Sequence, residues 1–94
     1  MRIELTDETE GPTGWTYNAT VELEGRAWDV SVTLAYADYD RWSRGAHPPA
    51  DVVTASIRVA FDAGAAPTER DSIDVARLAR TIPDFDGLLA ARLD

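Results

Sequence analysis

The strongest constraint on the fold is a long alternation of apolar and polar residues between positions 15 and 37. In the stretch WTYNATVELEGRAWDVSVTLAYA, apolar residues take every second position of two runs, 15–23 and 26–37. Such alternation is typical of half-buried β-strands. Glu24 and Gly25 separate the runs, and glycine readily adopts the positive φ of a two-residue hairpin turn. The sequence therefore predicts a β-hairpin.

The length of this turn sets the register of the predicted hairpin. A two-residue loop pairs Leu23 with Arg26, and each apolar residue farther along one strand then faces an apolar residue of the other. A slip by one residue would expose one of the two apolar sets, so the register is strongly specified and the second face stays polar. The remaining predicted pairs are Val21–Trp28, Ala19–Val30, Tyr17–Val32 and Trp15–Leu34.

The segments on either side of the hairpin predict one more strand and three helices. Alternation in residues 2–5 favours a third strand at an edge of the hairpin. A helix is expected from Pro48 or Pro49 to Gly64, since proline suits a first turn and glycine a helix end. A second helix, capped by Asp71 or Ser72, is expected to run through Arg80, and a short third one over 84–93.

Strands that precede helices predict an α+β fold. We expect an antiparallel three-stranded sheet, built on the central hairpin 15–23/26–37 and covered on one face by the C-terminal helices. Residues 1–94 are expected to form a single domain, because 94 residues suit one modest core.

Composition excludes several kinds of chemistry. The chain has no cysteine, which rules out disulfides, thiolate catalysis and zinc–thiolate sites. Nine arginines against seventeen acidic residues give a net charge of −8, which opposes binding to nucleic acid or to anionic membranes. This acidity fits either a basic partner or an organism-wide compositional bias. The acidic start MRIELTDETE is unlike a signal peptide, so a cytoplasmic location is expected.

The segment YADYDRWSRGAHPP, residues 36–49, is interpreted as a connecting loop and as the best candidate for a binding surface. Tyrosine, tryptophan and arginine are enriched at interface hot spots, so we expect contact with a protein partner or a second copy of the chain. The alternative is that Tyr36 and Trp42 are core residues and that the arginines pair with Asp38 and Asp40. The candidate binding residues are Tyr39, Arg41, Trp42, Arg44 and His47.

Other chemistry is less well supported in this segment. His47 with Asp38 and Asp40 has the ligand types of a transition-metal site, but the loop is short and two prolines follow the histidine. A Ser43–His47 nucleophile would still need an orienting acid and an oxyanion hole. Two arginines beside Trp42, among several acids, make a weak site for nucleic acid. No catalytic residue, metal or other cofactor is predicted.

The C-terminal half contains the pattern Pro-x-x-Val-Val-x-x-Ser at residues 49–56, followed by DSIDVARLARTIPDFDGLL at residues 71–89. In these segments it resembles a family of small uncharacterised bacterial proteins. Those proteins have a hairpin, then a Pro-Glu-x-Leu-Val-x-x-Ser helix, then a Phe-x-Leu-x-x-Ile-x-x-Tyr-Phe-Pro-x-Tyr stretch. This chain departs from the pattern at Ile82, where the family has an aromatic residue before the proline. The resemblance implies a similar fold and carries no established activity. The matching positions are Pro49, Val52, Val53, Ser56, Ile73, Val75, Leu78, Ile82, Pro83 and Phe85.

These observations favour a small non-catalytic interaction or regulatory module. A free sheet edge could pair with a partner strand or a second copy, so a homodimer is one expectation. A first alternative is a small enzyme or ligand-binding domain with a pocket between sheet and helices, using His47, Asp38 and Tyr36. A second alternative is an acidic inhibitor or nucleic-acid mimic.

Overall fold

A computed structural model describes residues 1–43, 45–64 and 72–93 as one sheet with helices on one face. The sheet order is β1-β2-β3-β4; β1, β2 and β3 are antiparallel, and β4 is parallel to β3. The predicted α+β class is confirmed, but the sheet has a fourth strand that was not predicted. The elements are β1 (Arg2–Glu10), β2 (Gly14–Leu23), β3 (Arg26–Ala35), α1 (Tyr36–Ser43), α2 (Pro49–Asp62), β4 (Ser72–Asp74), α3 (Val75–Thr81) and α4 (Phe85–Leu93).

The predicted hairpin register is confirmed at every pair from Leu23–Arg26 to Trp15–Leu34. The turn residues Glu24 and Gly25 have φ of 53° and 78°. Positive φ at both positions matches the twist of the flanking strands.

Strand β1 is longer than predicted, because Thr6, Thr9 and Glu10 also pair with β2. Thr6 faces Asn18 and Thr9 faces Thr16, so two residues of β1 lie between these pairs where β2 has only one. This is a β-bulge, and Asp7 within it has a φ of 55°. The bulge changes which side of the sheet the following side chains face.

Residues 36–43 form helix α1, so the prediction that 36–49 is a loop is wrong for its first part. Tyr39 and Trp42 lie one turn apart and pack against Trp15 and Phe85, respectively. Trp15 and Phe85 are distant from α1 in sequence. Packing against them stabilises the helix, although the composition of the segment favours a turn. Arg44, a predicted binding residue, lies outside the described residues.

The later elements agree with the sequence except around position 72. Helix α2 begins at Pro49, after Pro48 as N-cap, and α4 covers nearly all of the predicted helix 84–93. Residues 72–74 instead pair with β3, so α3 begins at Val75 and not at 71 or 72. The side chain of Asp74 caps α3 by accepting a 3.1 Å hydrogen bond from the Ala76 amide. Asp71 lies outside the described residues.

The core lies between the helices and one face of the sheet. Alternate residues of β2 and β3 meet the inner side of α2, together with side chains of β4, α3 and α4. Among the described residues, no helix has the length and apolar character needed to cross a membrane. The largest fully buried side chains are Leu34, Ile57, Leu89, Val21, Val30, Val32, Val52, Val53 and Val75.

Candidate functional site

Tyr39 of α1, a predicted binding residue, is half-buried and makes internal contacts. Its ring meets Trp15 edge-on, with 5.1 Å between ring centroids. Its hydroxyl donates a hydrogen bond to the backbone carbonyl of His47. Tyr39 therefore links the start of β2 to the segment that leads into α2.

Trp42 joins α1 to α4. Its indole Nε1 donates a 2.8 Å hydrogen bond to Oδ1 of Asp86, and its ring centroid lies 5.3 Å from that of Phe85. The Arg41 guanidinium carbon lies 4.7 Å from the Trp42 ring centroid, and Arg41 also pairs with Asp38 at 3.4 Å. These contacts hold the N-terminal end of α4 against α1, and part of the indole remains exposed.

His47 lies apart from this aromatic contact, in a groove between α2 and α4. The structure therefore does not unite the predicted residues on one surface. Tyr39, Arg41 and Trp42 lie on α1, whereas the side chain of His47 faces α2 and the end of α4. Their link is the hydrogen bond from Tyr39 to the His47 carbonyl.

This α2–α4 groove has two adjoining parts, of about 210 and 230 Å³, which share Arg92. The first part is polar and charged, and the second is mainly apolar. The buried residues among its lining are Ala55 and Val59 of α2. The lining residues are His47, Asp51, Thr54, Ala55, Arg58, Arg92 and Leu93 in the first part, and Val59, Asp62, Ala63, Leu88, Ala91 and Arg92 in the second.

Leu88 is the most notable side chain of the apolar part, because 42% of it is exposed. It lies beside Val59, Ala63 and Ala91, and an ion pair between Arg92 and Asp62 crosses the groove. Leu88, Ala63 and Ala91 therefore form a small exposed apolar patch with charged groups at its rim.

A second cluster lies at the bulge of β1, at the edge of the sheet. The buried ring of Tyr17 directs its hydroxyl to Glu8, and the Tyr36 hydroxyl donates to Glu10 at 2.6 Å. Burial and the hydrogen bond to Glu8 raise the pKa of Tyr17, and the hydrogen bond to Glu10 raises that of Tyr36. The neutral phenols thus act as hydrogen-bond donors that fasten the bulge to the sheet.

A larger concavity, about 560 Å³, lies at the hairpin turn and the start of β1. It is a shallow depression between exposed residues such as Arg2, Glu22 and Arg26. It contains no aromatic side chain and no converging buried polar groups, which a ligand site usually combines. We therefore place the candidate site at the α2–α4 groove.

The residues of the predicted ligand pocket have separate partners. Tyr36 bonds Glu10, Asp38 pairs with Arg41, and His47 lines the groove. Apolar side chains fill the space between sheet and helices. Within the described ranges, no group of three metal-ligating residues is present, and carboxylates lie on both layers of the fold, as Asp29 and Asp62 show.

Sequence reasoning missed the groove, although one signal was available. Leu88 lies outside the arc of α4 that holds Phe85, Leu89 and Leu93, so α4 carries more apolar surface than one buried stripe needs. The openness of the groove depends on how α2 and α4 pack, which a single sequence does not specify.

Comparison with protein-family models, curated proteins and solved structures finds no significant match for this chain. The interpretation of the groove therefore depends on its geometry alone.

Proposed function

We propose that this protein is a small non-catalytic interaction module that binds a protein partner through the α2–α4 groove. The observation that carries the proposal is the 42% exposure of Leu88 beside the apolar groups of Val59, Ala63 and Ala91. Covering this patch would remove apolar surface from water and release ordered solvent, which drives most protein association.

The predicted binding residues on α1 support this surface from behind. Trp42 holds Asp86 and Phe85, which begin α4, and Tyr39 holds the backbone of His47, which precedes α2. Both walls of the groove are thus fixed by aromatic residues of α1. Rigid walls favour binding, because less conformational entropy is lost when the partner docks.

Site-specific photocrosslinking tests the proposal. A photoreactive amino acid is placed at Leu88, and, as a matched control, at Thr16, which is exposed on the uncovered face of the sheet. In cells that naturally produce the protein, we expect a covalent protein adduct from position 88 and none from position 16. Adding Ala91→Arg should remove the adduct, because Ala91 lines the same part of the groove.

The mass of the adduct shows whether a protein has been crosslinked and how large that protein is. No adduct from position 88, or equal labelling from both positions, would contradict the proposal. An adduct that persists with Ala91→Arg would also contradict it, because a charged side chain in the groove should block docking.

A further inference from the structure

The outer ridge of α2 carries an ordered series of charges. It consists of Asp51, Thr54, Arg58 and Asp62, spaced by three, four and four residues, and His47 precedes the helix. Residues at this spacing share one side of a helix. These four residues and His47 line the α2–α4 groove, whereas the buried side chains of Val52, Val53 and Ile57 lie on other sides of the helix.

The charges of this ridge are complementary to those of the same ridge on a second copy of the chain that lies antiparallel to it. If two ridges pack antiparallel with Thr54 facing Ala55, Asp51 lies opposite the second copy's Arg58. Asp62 already pairs with Arg92 of its own chain and His47 precedes the helix, so the complementarity rests on Asp51 and Arg58. The pair of Asp51 with the second copy's Arg58 occurs twice, as a two-fold interface requires.

Geometry within one chain does not pair Asp51 with Arg58. Asp51 and Arg58 are seven residues apart, which separates them by about 10 Å along the helix. Among the described residues, the ion pairs are Arg2–Glu4, Arg41–Asp38 and Arg92–Asp62, so neither Asp51 nor Arg58 pairs within that part of the chain. In an antiparallel pair, the second copy supplies Arg58 as the partner of Asp51 and Asp51 as the partner of Arg58.

We infer that the protein forms a two-fold homodimer through antiparallel α2 helices centred on Thr54 and Ala55. The small side chains at the centre allow the helix axes to approach closely. In this register the C-terminal end of α2, beside Leu88, faces the second copy's Pro48 and Pro49, so the exposed leucine gains apolar cover. This inference rests on the proposed function and names the partner of the same groove.

Charge reversal at the two ridge positions gives a sharp test. Asp51→Arg places two arginines together at both ends of the interface, and Arg58→Asp places two aspartates there. Each single variant should be monomeric, with dimerisation weakened at least about tenfold, because like charges in contact are strongly unfavourable. The double variant, D51R with R58D, should regain the dimer. An equimolar mixture of the two single variants should form a heterodimer.

Light scattering and sedimentation measure these masses against a monomer of 10.3 kDa. Arg77→Asp is the matched control, since Arg77 is exposed on α3 and away from the ridge; this variant should stay dimeric. Circular dichroism checks that each variant is folded. Molar salt should weaken the wild-type dimer, because it screens exposed charges.

Three outcomes would overturn the homodimer. These are a wild-type monomer at every concentration, single variants that remain dimeric, or a mixture that stays monomeric. If a charge-reversed variant unfolds, the mass of the wild-type protein, measured over a range of protein and salt concentrations, still shows whether the dimer forms. A wild-type monomer combined with a Leu88 adduct to a different protein would overturn this inference alone, whereas the absence of any adduct would overturn the proposed function.

Discussion

The indole N–H of Trp42 donates a hydrogen bond of 2.8 Å to Oδ1 of Asp86, and so joins α1 to α4. Replacing Trp42 with alanine removes this bond and the ring contact with Phe85. We expect the free energy of unfolding to fall by about 2 kcal/mol, less than for a fully buried tryptophan, because part of the ring is exposed. Urea unfolding measures the change.

Trp42→Phe is the control for this prediction, because it keeps a ring against Phe85 and loses only the N–H donor. We expect a smaller loss, about 1 kcal/mol. An alanine variant as stable as wild type would show that the contact between α1 and α4 contributes little to the fold.

The tyrosine–carboxylate contacts at the bulge predict a loss of stability in alkali. Burial and the hydrogen bond to Glu8 raise the pKa of Tyr17 in the folded state, so folding favours the neutral phenol. Its stabilising contribution is complete below the unfolded pKa of about 10 and is lost as pH rises through the folded pKa. We expect the free energy of unfolding to decrease above about pH 10.

Tyr17→Phe isolates the contribution of this hydroxyl. The variant should lose the hydrogen bond but show a flatter dependence of stability on alkaline pH. Tyr36→Phe should flatten it less, because Tyr36 is more exposed and its pKa is raised mainly by one hydrogen bond. Equal pH dependence in wild type and Tyr17→Phe would refute this explanation.

Gly14 should not tolerate a side chain. A Cβ at this position would lie 2.1 Å from the Leu34 carbonyl oxygen and 2.7 Å from the Ala35 Cα. Both are backbone atoms of β3, so β2 and β3 would have to separate. We expect Gly14→Ala to lower the free energy of unfolding by at least about 2 kcal/mol.

Gly11→Ala is the matched control, because the nearest atom to its added Cβ is 3.9 Å away, at the Gly14 carbonyl oxygen. We expect a change within about 0.5 kcal/mol. Similar thermal midpoints for the two variants would contradict the predicted close approach of the strands.

Asp74 should stabilise the start of α3. Its carboxylate accepts the hydrogen bond from the Ala76 amide, so Asp74→Ala leaves that N–H without its cap. We expect a loss of about 1 kcal/mol in the free energy of unfolding. Asp74→Asn keeps a side-chain oxygen and should lose much less. Equal losses in both variants would show that the charge, and not the cap, matters.

The parts of the fold that local pattern determines were predictable. Alternation and a two-residue turn specify β2 and β3 to the residue, because one register buries both apolar sets. Helix α2 followed from helical spacing between a proline and a glycine. These signals lie within the segments that they describe.

The parts that distant contacts determine were not predictable. Helix α1 depends on Trp15 and Phe85, which lie far from it in sequence. Strand β4 has only three residues, too few to show alternation, and pairs with β3 through the buried Ile73. The candidate site was not predictable for the same reason. Only their contacts with the distant residues Trp15 and Phe85 show that Tyr39 and Trp42 support the groove.

Strands β1, β2 and β3 all precede the helices in chain order. These three strands therefore emerge from a ribosome before α2, which covers them. During that interval the apolar face bearing Val21, Val30 and Val32 has no intramolecular cover from α2, and nascent chains in that condition are prone to aggregate. We expect the growing chain to need shielding, by the ribosome or a chaperone, until α2 has emerged.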